Sequence, residues 1–201
     1  MRCARFRPTV LSTAVLAVLA LAGCAAAGPG GGDVSEEKAG RDWTSELPVN
    51  RLAPLGEGDG FVPEGGSLDP SDDVPALTGL DPELLAAVRE AADAALEEDG
   101  IEAVVTSGWR SERYQRFLLD SAVEVYGSEE EAARWVSSPE DSSHVTGSAV
   151  DIGRTDAAYW FARHGARFGL CQTYANEVWH YELTVDPGGT CPEPLADASA
   201  G

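Results

Sequence analysis

The sequence predicts a small α+β domain with a mainly antiparallel sheet and flanking helices. Three observations lead there. Leu84, Leu85, Val88, Ala92, Ala95 and Leu96 recur at the spacing of one helix face. Short runs at 101–106, 148–152, 170–174 and 178–184 have strand length and are bounded by glycine, asparagine or acidic residues. Helical and strand segments are grouped rather than alternating regularly, which argues against a doubly wound parallel sheet. The folded part, residues 79–192, is about 110 residues, enough for one core but not for two domains.

The chain opens with an export signal over residues 1–23. Arg2, Arg5 and Arg7 precede an apolar run from Val10 to Ala22 that is short for a membrane span. The run ends Leu21-Ala22-Gly23-Cys24, which resembles a bacterial lipobox and implies lipidation of Cys24. An ordinary signal peptide cut near Ala27 is the alternative. Residues 24–78 read as a flexible acidic tether rich in Gly and Pro, with Trp43, Leu52, Leu55 and Phe61 scattered without period. Some of the stretch from Trp43 to Phe61 could pack on the domain as an extended arm.

The domain starts at Asp81-Pro82-Glu83, where Asp81 suits the N-cap, Pro82 the first helical position and Glu83 the positive end of the helix dipole. Gly100 closes that helix, and a strand over 101–106 delivers residues 107–110 at its end. A second helix spans 111–126 and stops at Gly127. A third begins at Ser128, with Glu131 completing a capping box. A loop over 137–142 leads to a strand over 148–152. Thr155 caps a helix to about residue 168, and two short strands follow Gly169. Residues 193–201 are expected to be a disordered tail.

The chemistry concentrates in Ser142-Ser143-His144-Val145-Thr146-Gly147-Ser148-Ala149-Val150-Asp151. An imidazole and a carboxylate converging from a loop and its strand suit a metal ion, zinc above all. The third ligand candidate is His180, and Glu177 lies three residues before it. His164 sits outside any motif and reads as a surface or packing histidine.

These motifs resemble the VanY-type D-alanyl-D-alanine carboxypeptidases, zinc peptidases of bacterial cell walls. Ser142, His144, Gly147, Ala149 and Asp151 match the first motif, and Glu177, Trp179 and His180 the second. Ser107-Gly108-Trp109-Arg110-Ser111 resembles an upstream Ser-Gly-Tyr-Arg-Ser element. The resemblance spans roughly residues 80–185. It implies the hedgehog and D,D-peptidase type of fold, Zn²⁺ held by His144, Asp151 and His180, Glu177 as general base, and Arg110 as the charged donor to the oxyanion. Ser142 and Ser148 would contact the substrate backbone, and Trp109 and Trp179 would wall the cleft. The implied activity is removal of a terminal D-alanine from peptidoglycan stem peptides. An L,D-carboxypeptidase or endopeptidase of the same fold is the alternative within the class, and a non-catalytic zinc-stabilised wall-binding lipoprotein the alternative outside it.

The formal charge of −20 excludes nucleic acid and anionic lipid surfaces as partners. Attachment to the outer face of the cytoplasmic membrane would come from the lipid on Cys24, and the protein is expected to be a monomer. Of four cysteines, Cys3 leaves with the signal and Cys24 takes lipid. Cys171 and Cys191 remain as an even pair in an oxidising compartment and are expected to form a disulfide, two free thiols being the alternative.

Overall fold

The computed structural model describes residues 54–200. The signal expected over 1–23, the lipidation expected at Cys24 and the tether expected up to residue 53 lie outside the described residues. Among the described residues no helix is long and apolar enough to cross a membrane.

Four strands, β1 (Val104–Ser107), β2 (Ala149–Gly153), β3 (Leu170–Gln172) and β4 (His180–Leu183), form one sheet in the order β1-β2-β4-β3. Every pairing is antiparallel. The helices are α1 (Pro75–Thr78), α2 (Pro82–Asp99), α3 (Glu112–Tyr126), α4 (Glu129–Ala133), α5 (Ser143–Thr146) and α6 (Thr155–His164). The α+β class expected from the sequence is the one observed.

Helix α2 starts where its capping chemistry requires. Asp81 Oδ1 accepts from the amides of Glu83 and Leu84 at 2.8 and 3.3 Å, and Pro82 follows. Its buried face is Leu84, Leu85, Ala87, Val88, Ala91 and Ala95. Leu96, expected in that stripe, turns outward. The face packs with Val105, Val150, Ile152, Trp160, Phe161 and Tyr181 in one core. Each fully buried Leu or Val there contributes about 1.5–3 kcal/mol relative to exposure.

The sheet separates this core from a polar face by simple alternation. On β2, Val150 and Ile152 enter the core, so Asp151 between them faces the other way. On β4, Tyr181 is fully buried and its hydroxyl donates to Ala158 O at 2.6 Å. His180 and Glu182 therefore share the face of Asp151. The register pairs Asp151 directly with His180.

Two boundaries drawn from the sequence move. Residues 54–78, assigned to a tether with an extended arm allowed only as far as Phe61, pack on the domain beyond that point as well. Leu68 bridges to Val105, Leu77 is fully buried, and the Asp59 carboxylate meets the Arg113 guanidinium while accepting from Ser111 Oγ at 2.8 Å. Composition hid this because the segment is held by single anchoring residues rather than by a periodic face. The tail over 193–201 is likewise ordered through residue 200. Leu195 bridges to Tyr174, and Asp197 is buried against Arg134. At α6 the cap position falls on Arg154, at φ 63°, rather than on Thr155, which is the first helical residue.

Cys171 and Cys191 form a disulfide. The crosslink closes a loop with a sequence separation of 20. Cys191→Ser is expected to lower unfolding free energy by about 3 kcal/mol in urea titrations. A midpoint unchanged from the parent would show that the crosslink adds nothing.

Candidate metal centre and active site

Helix α5 is a single turn where the sequence predicted a loop. Ser142 precedes it, and Gly147 ends it in the left-handed region at φ 77°. A Cβ on Gly147 would lie 2.4 Å from Gly79 O, and its own carbonyl accepts from the Asp81 amide at 2.9 Å. Only glycine satisfies both the turn and this approach. The turn sets His144 over β2.

His144 Nδ1 lies 2.8 Å from the Gly108 carbonyl oxygen, which can only accept, so Nδ1 carries the proton. Its Nε2 then presents a lone pair inward. His180 Nε2 lies 3.1 Å from Glu182 Oε1 and donates to it, which leaves Nδ1 facing the same point. Outer partners of this kind fix the tautomer of metal-binding histidines. The third donor is Asp151 Oδ1, buried and without a well-formed hydrogen bond among the described residues.

Nε2 of His144 and Nδ1 of His180 are 3.2 Å apart, and Asp151 Oδ1 is 3.4 and 3.3 Å from them. Three donors on a tetrahedral ion with bonds of roughly 2.0–2.1 Å would be about 3.3 Å apart. The donor set and its spacing therefore fit a small tetrahedral cation, and all three residues are buried.

Electrostatics favours a cation at the same point. Asp151 is held well below the usual carboxylate range, against the effect of burial, by His144, His180 and Arg110. Burial, helped by Arg110, pushes His144 down to about 4. For His180 burial acts downward, but the carboxylates of Asp151 and Glu182 beside it raise it to about 9. That proton and a metal ion compete for one place, so metal binding releases the proton. Burial raises Glu177 to about 7, with Asp151 adding to the rise against His180.

Glu177 reaches the centre through the turn joining β3 to β4. The His180 amide donates to Glu177 O at 3.2 Å, which leaves the Glu177 carboxylate 3.9 Å from His180 Nδ1. Its Oε1 is buried and unpartnered among the described residues. The carboxylate lines a cavity of about 200 Å³ together with the metal-binding trio, Arg110, Ser142 and Trp179.

Arg110 is fixed on three sides. Nη2 meets Asp151 Oδ2 at 2.9 Å, Nη1 meets Gln115 Oε1 at 3.1 Å, and Nε meets Ser107 Oγ at 2.8 Å. The guanidinium thus orients Asp151, and Arg110 is among the residues that line the cavity. Gln115 was not foreseen. It is 1% exposed and ties Arg110 to the Ser137 carbonyl, which accepts from Nε2 at 2.9 Å. A polar residue within the buried stripe of an amphipathic helix was the available signal. Glu182 was also missed, although period two from His180 points to it.

Two expected substrate contacts fall outside this cavity. Ser148 is exposed and its hydroxyl bonds Thr146 Oγ1 at 2.6 Å, because the alternation that turns Asp151 inward turns Ser148 away. The Trp109 ring is packed against Gly79, where a Cβ would lie 2.6 Å from it, and borders a neighbouring groove with Phe117 and Val145. His164 packs on Trp160 with ring centroids 4.7 Å apart, the packing role expected of it.

The profile of the VanY family, D-alanyl-D-alanine carboxypeptidase, matches residues 78–186, more than half of the chain. The chain belongs to the VanY family. The VanY match contains every residue of the cluster just described. A D-alanyl-D-alanine carboxypeptidase of Enterococcus faecalis is 30% identical over an alignment of 112 residues, covering 43% of this chain and 42% of the relative. The chain thus spans less than half the length of that relative. Among solved structures, a VanY D,D-pentapeptidase variant from a vancomycin resistance cassette, in complex with Zn(II), is 27% identical. It aligns at a TM-score of 0.48 over 51% of this chain and 71% of its own. The LdcB LD-carboxypeptidase is 26% identical at a TM-score of 0.45, over 51% of this chain and 58% of its own.

Proposed function

We propose that the protein is a zinc-dependent carboxypeptidase that removes the terminal D-alanine from peptidoglycan stem peptides. The observation that carries the reading is the convergence of His144 Nε2, His180 Nδ1 and Asp151 Oδ1 at tetrahedral spacing, with an unpartnered carboxylate oxygen of Glu177 beside them. His144, Asp151 and His180 would hold the zinc, which when bound supplies Lewis acidity and lowers the pKa of water to roughly 7.

The remaining steps belong to the chain's own groups. Glu177 takes a proton from the water whose oxygen attacks the scissile carbonyl carbon. It returns that proton to the amine nitrogen as the carbon–nitrogen bond breaks, which leaves a shortened peptide and free D-alanine. Its raised pKa suits both transfers, because such a carboxyl is neither firmly charged nor firmly neutral near pH 7. Arg110 places positive charge beside the cavity, where the carbonyl oxygen becomes negative. Ser142, which is buried, and Trp179, which is exposed, both line the cavity, and this supports a role for them in contacting the peptide.

The site for this work is the outer face of the bacterial cytoplasmic membrane. Leu21-Ala22-Gly23-Cys24 supports export and lipid attachment through Cys24. Cys24→Ala is expected to release the protein from the membrane fraction of cells, and full retention would remove the lipid anchor from the reading.

Purified protein loaded with zinc and given a pentapeptide stem ending in D-Ala-D-Ala should release one D-alanine, seen by mass spectrometry as a tetrapeptide. Trimming of a tetrapeptide alone would make it an L,D-carboxypeptidase. Binding to stem peptides with no product from any of them would make it a wall-binding module.

A further inference from the structure

Packing alone leaves the orientation of the His180 ring undecided. The side chain is 3% exposed and lies against two other rings, with centroids 4.9 Å from His144 and 5.0 Å from Tyr174. Contacts of this kind hold the plane of an imidazole but not its rotation. A half-turn about Cβ–Cγ exchanges Nδ1 with Cδ2 and Nε2 with Cε1, and the two forms have nearly the same shape. In the turned form a carbon, which cannot bind a cation, would face His144 Nε2 and Asp151 Oδ1.

The outer contact separates the two forms. His180 Nε2 lies 3.1 Å from Glu182 Oε1, and a turned ring would put Cε1 in the place of that donor. On the inner side Nδ1 has Asp151 Oδ1 at 3.3 Å, but that is where a cation binds, so Glu182 is the partner that stays in both states. Glu182 is itself firmly placed. Its backbone sits in β4 between Ala149 of β2 and Cys171 of β3, and Cys171 carries the disulfide. The residues that line the cavity include His180 but not Glu182, so the carboxylate stands behind the imidazole.

We propose that Glu182 is the positioning residue of the metal centre, which commits His180 to face the ion through Nδ1 and thereby sets how tightly zinc is held. It acts through the imidazole, by fixing the ring and by adding negative charge that makes Nδ1 a better donor. Outer partners of this kind are typically worth about 10–100-fold in metal affinity. The inference rests on the zinc binding proposed above and not on the identity of the peptide.

The test uses the full chain, stripped of metal and titrated with zinc against a chromophoric chelator. Glu182→Leu removes both the acceptor and the charge and is expected to raise the Kd for zinc about 10²-fold. Glu182→Gln keeps a carbonyl acceptor without the charge and should fall between, at about tenfold. Thermal midpoints of the metal-free proteins establish that each variant is folded. A merely structural role would lower those midpoints and leave the Kd of the folded protein where it was. The ring nitrogen resonances of the zinc-loaded parent give a second readout, with His180 expected to be metal-bound at Nδ1 and protonated at Nε2. Zinc on Nε2 in the parent, or a Kd equal to the parent's in both variants, overturns the inference. Should the Leu variant fail to fold, the Gln variant decides alone on the same criterion. A parent that holds zinc tightly but releases no D-alanine from any stem peptide overturns the proposed activity and leaves this inference standing. A parent that takes up no zinc overturns both.

Discussion

Glu177→Gln is expected to retain near-stoichiometric zinc while losing most turnover, by about 10²–10⁴-fold. The reason is geometric. None of the three converging donor atoms belongs to Glu177, and its carboxylate stands 3.9 Å from His180 Nδ1. Glutamine keeps the size and loses the capacity to accept a proton. The fold should tolerate the change, because burial already disfavours the charged form of this group. Metal by elemental analysis and D-alanine release, measured on one preparation, separate the two properties. Parent-like turnover would remove Glu177 from the proton transfer, and loss of zinc would make it a ligand.

Asp151→Ala should have the largest combined effect. It deletes one donor of the metal cluster and the carboxylate that faces Arg110 at 2.9 Å. Two ligands remain, and zinc should be absent from dialysed protein. The guanidinium of Arg110 is then left buried without its anion, a situation that typically costs about 3–5 kcal/mol. The comparison is between metal-free parent and metal-free variant in urea, so that lost zinc binding does not enter the difference. His144→Ala should abolish zinc as well, but without stranding a charge, so its metal-free stability should fall less. Equal stability losses in the two variants would show that the Arg110 contact carries no special weight. Full zinc in Asp151→Ala would displace Asp151 from the cluster.

Much of the site was legible in the sequence because its residues lie in local motifs. His144, Gly147 and Asp151 occupy one turn and the strand after it, and Glu177 and His180 one turn and the strand it feeds. Short-range spacing of this kind survives without knowledge of the fold. The unforeseen residues act across long separations. Gly108 offers His144 a carbonyl from 36 positions away, and Gln115 reaches the Ser137 carbonyl 22 positions on. Nothing local marks either partner. The same holds for segments 54–78 and 193–200. They are anchored by Asp59, Leu77, Leu195 and Asp197 one at a time, so hydrophobic period and composition both read as linker. Trp109 borders the adjacent groove, which Arg110 also lines, rather than the cavity itself. Its motif position suggested a cleft wall, whereas the close approach of Gly79 settles its ring toward the adjacent groove. Ser148 was lost to strand alternation, which the sequence did contain.

The direct pairing of Asp151 with His180 across β2 and β4 also bears on the order of assembly. His180 lies 36 positions from His144, and β2 must find β4 before three donors can meet. Pairings of that kind form late because the intervening chain must first be closed into a loop. A slip of one residue in this register would turn Asp151 into the apolar core and His180 away from it. Tight zinc uptake therefore accompanies completion of the sheet rather than nucleating it, and metal content becomes a readout of correctly registered strands.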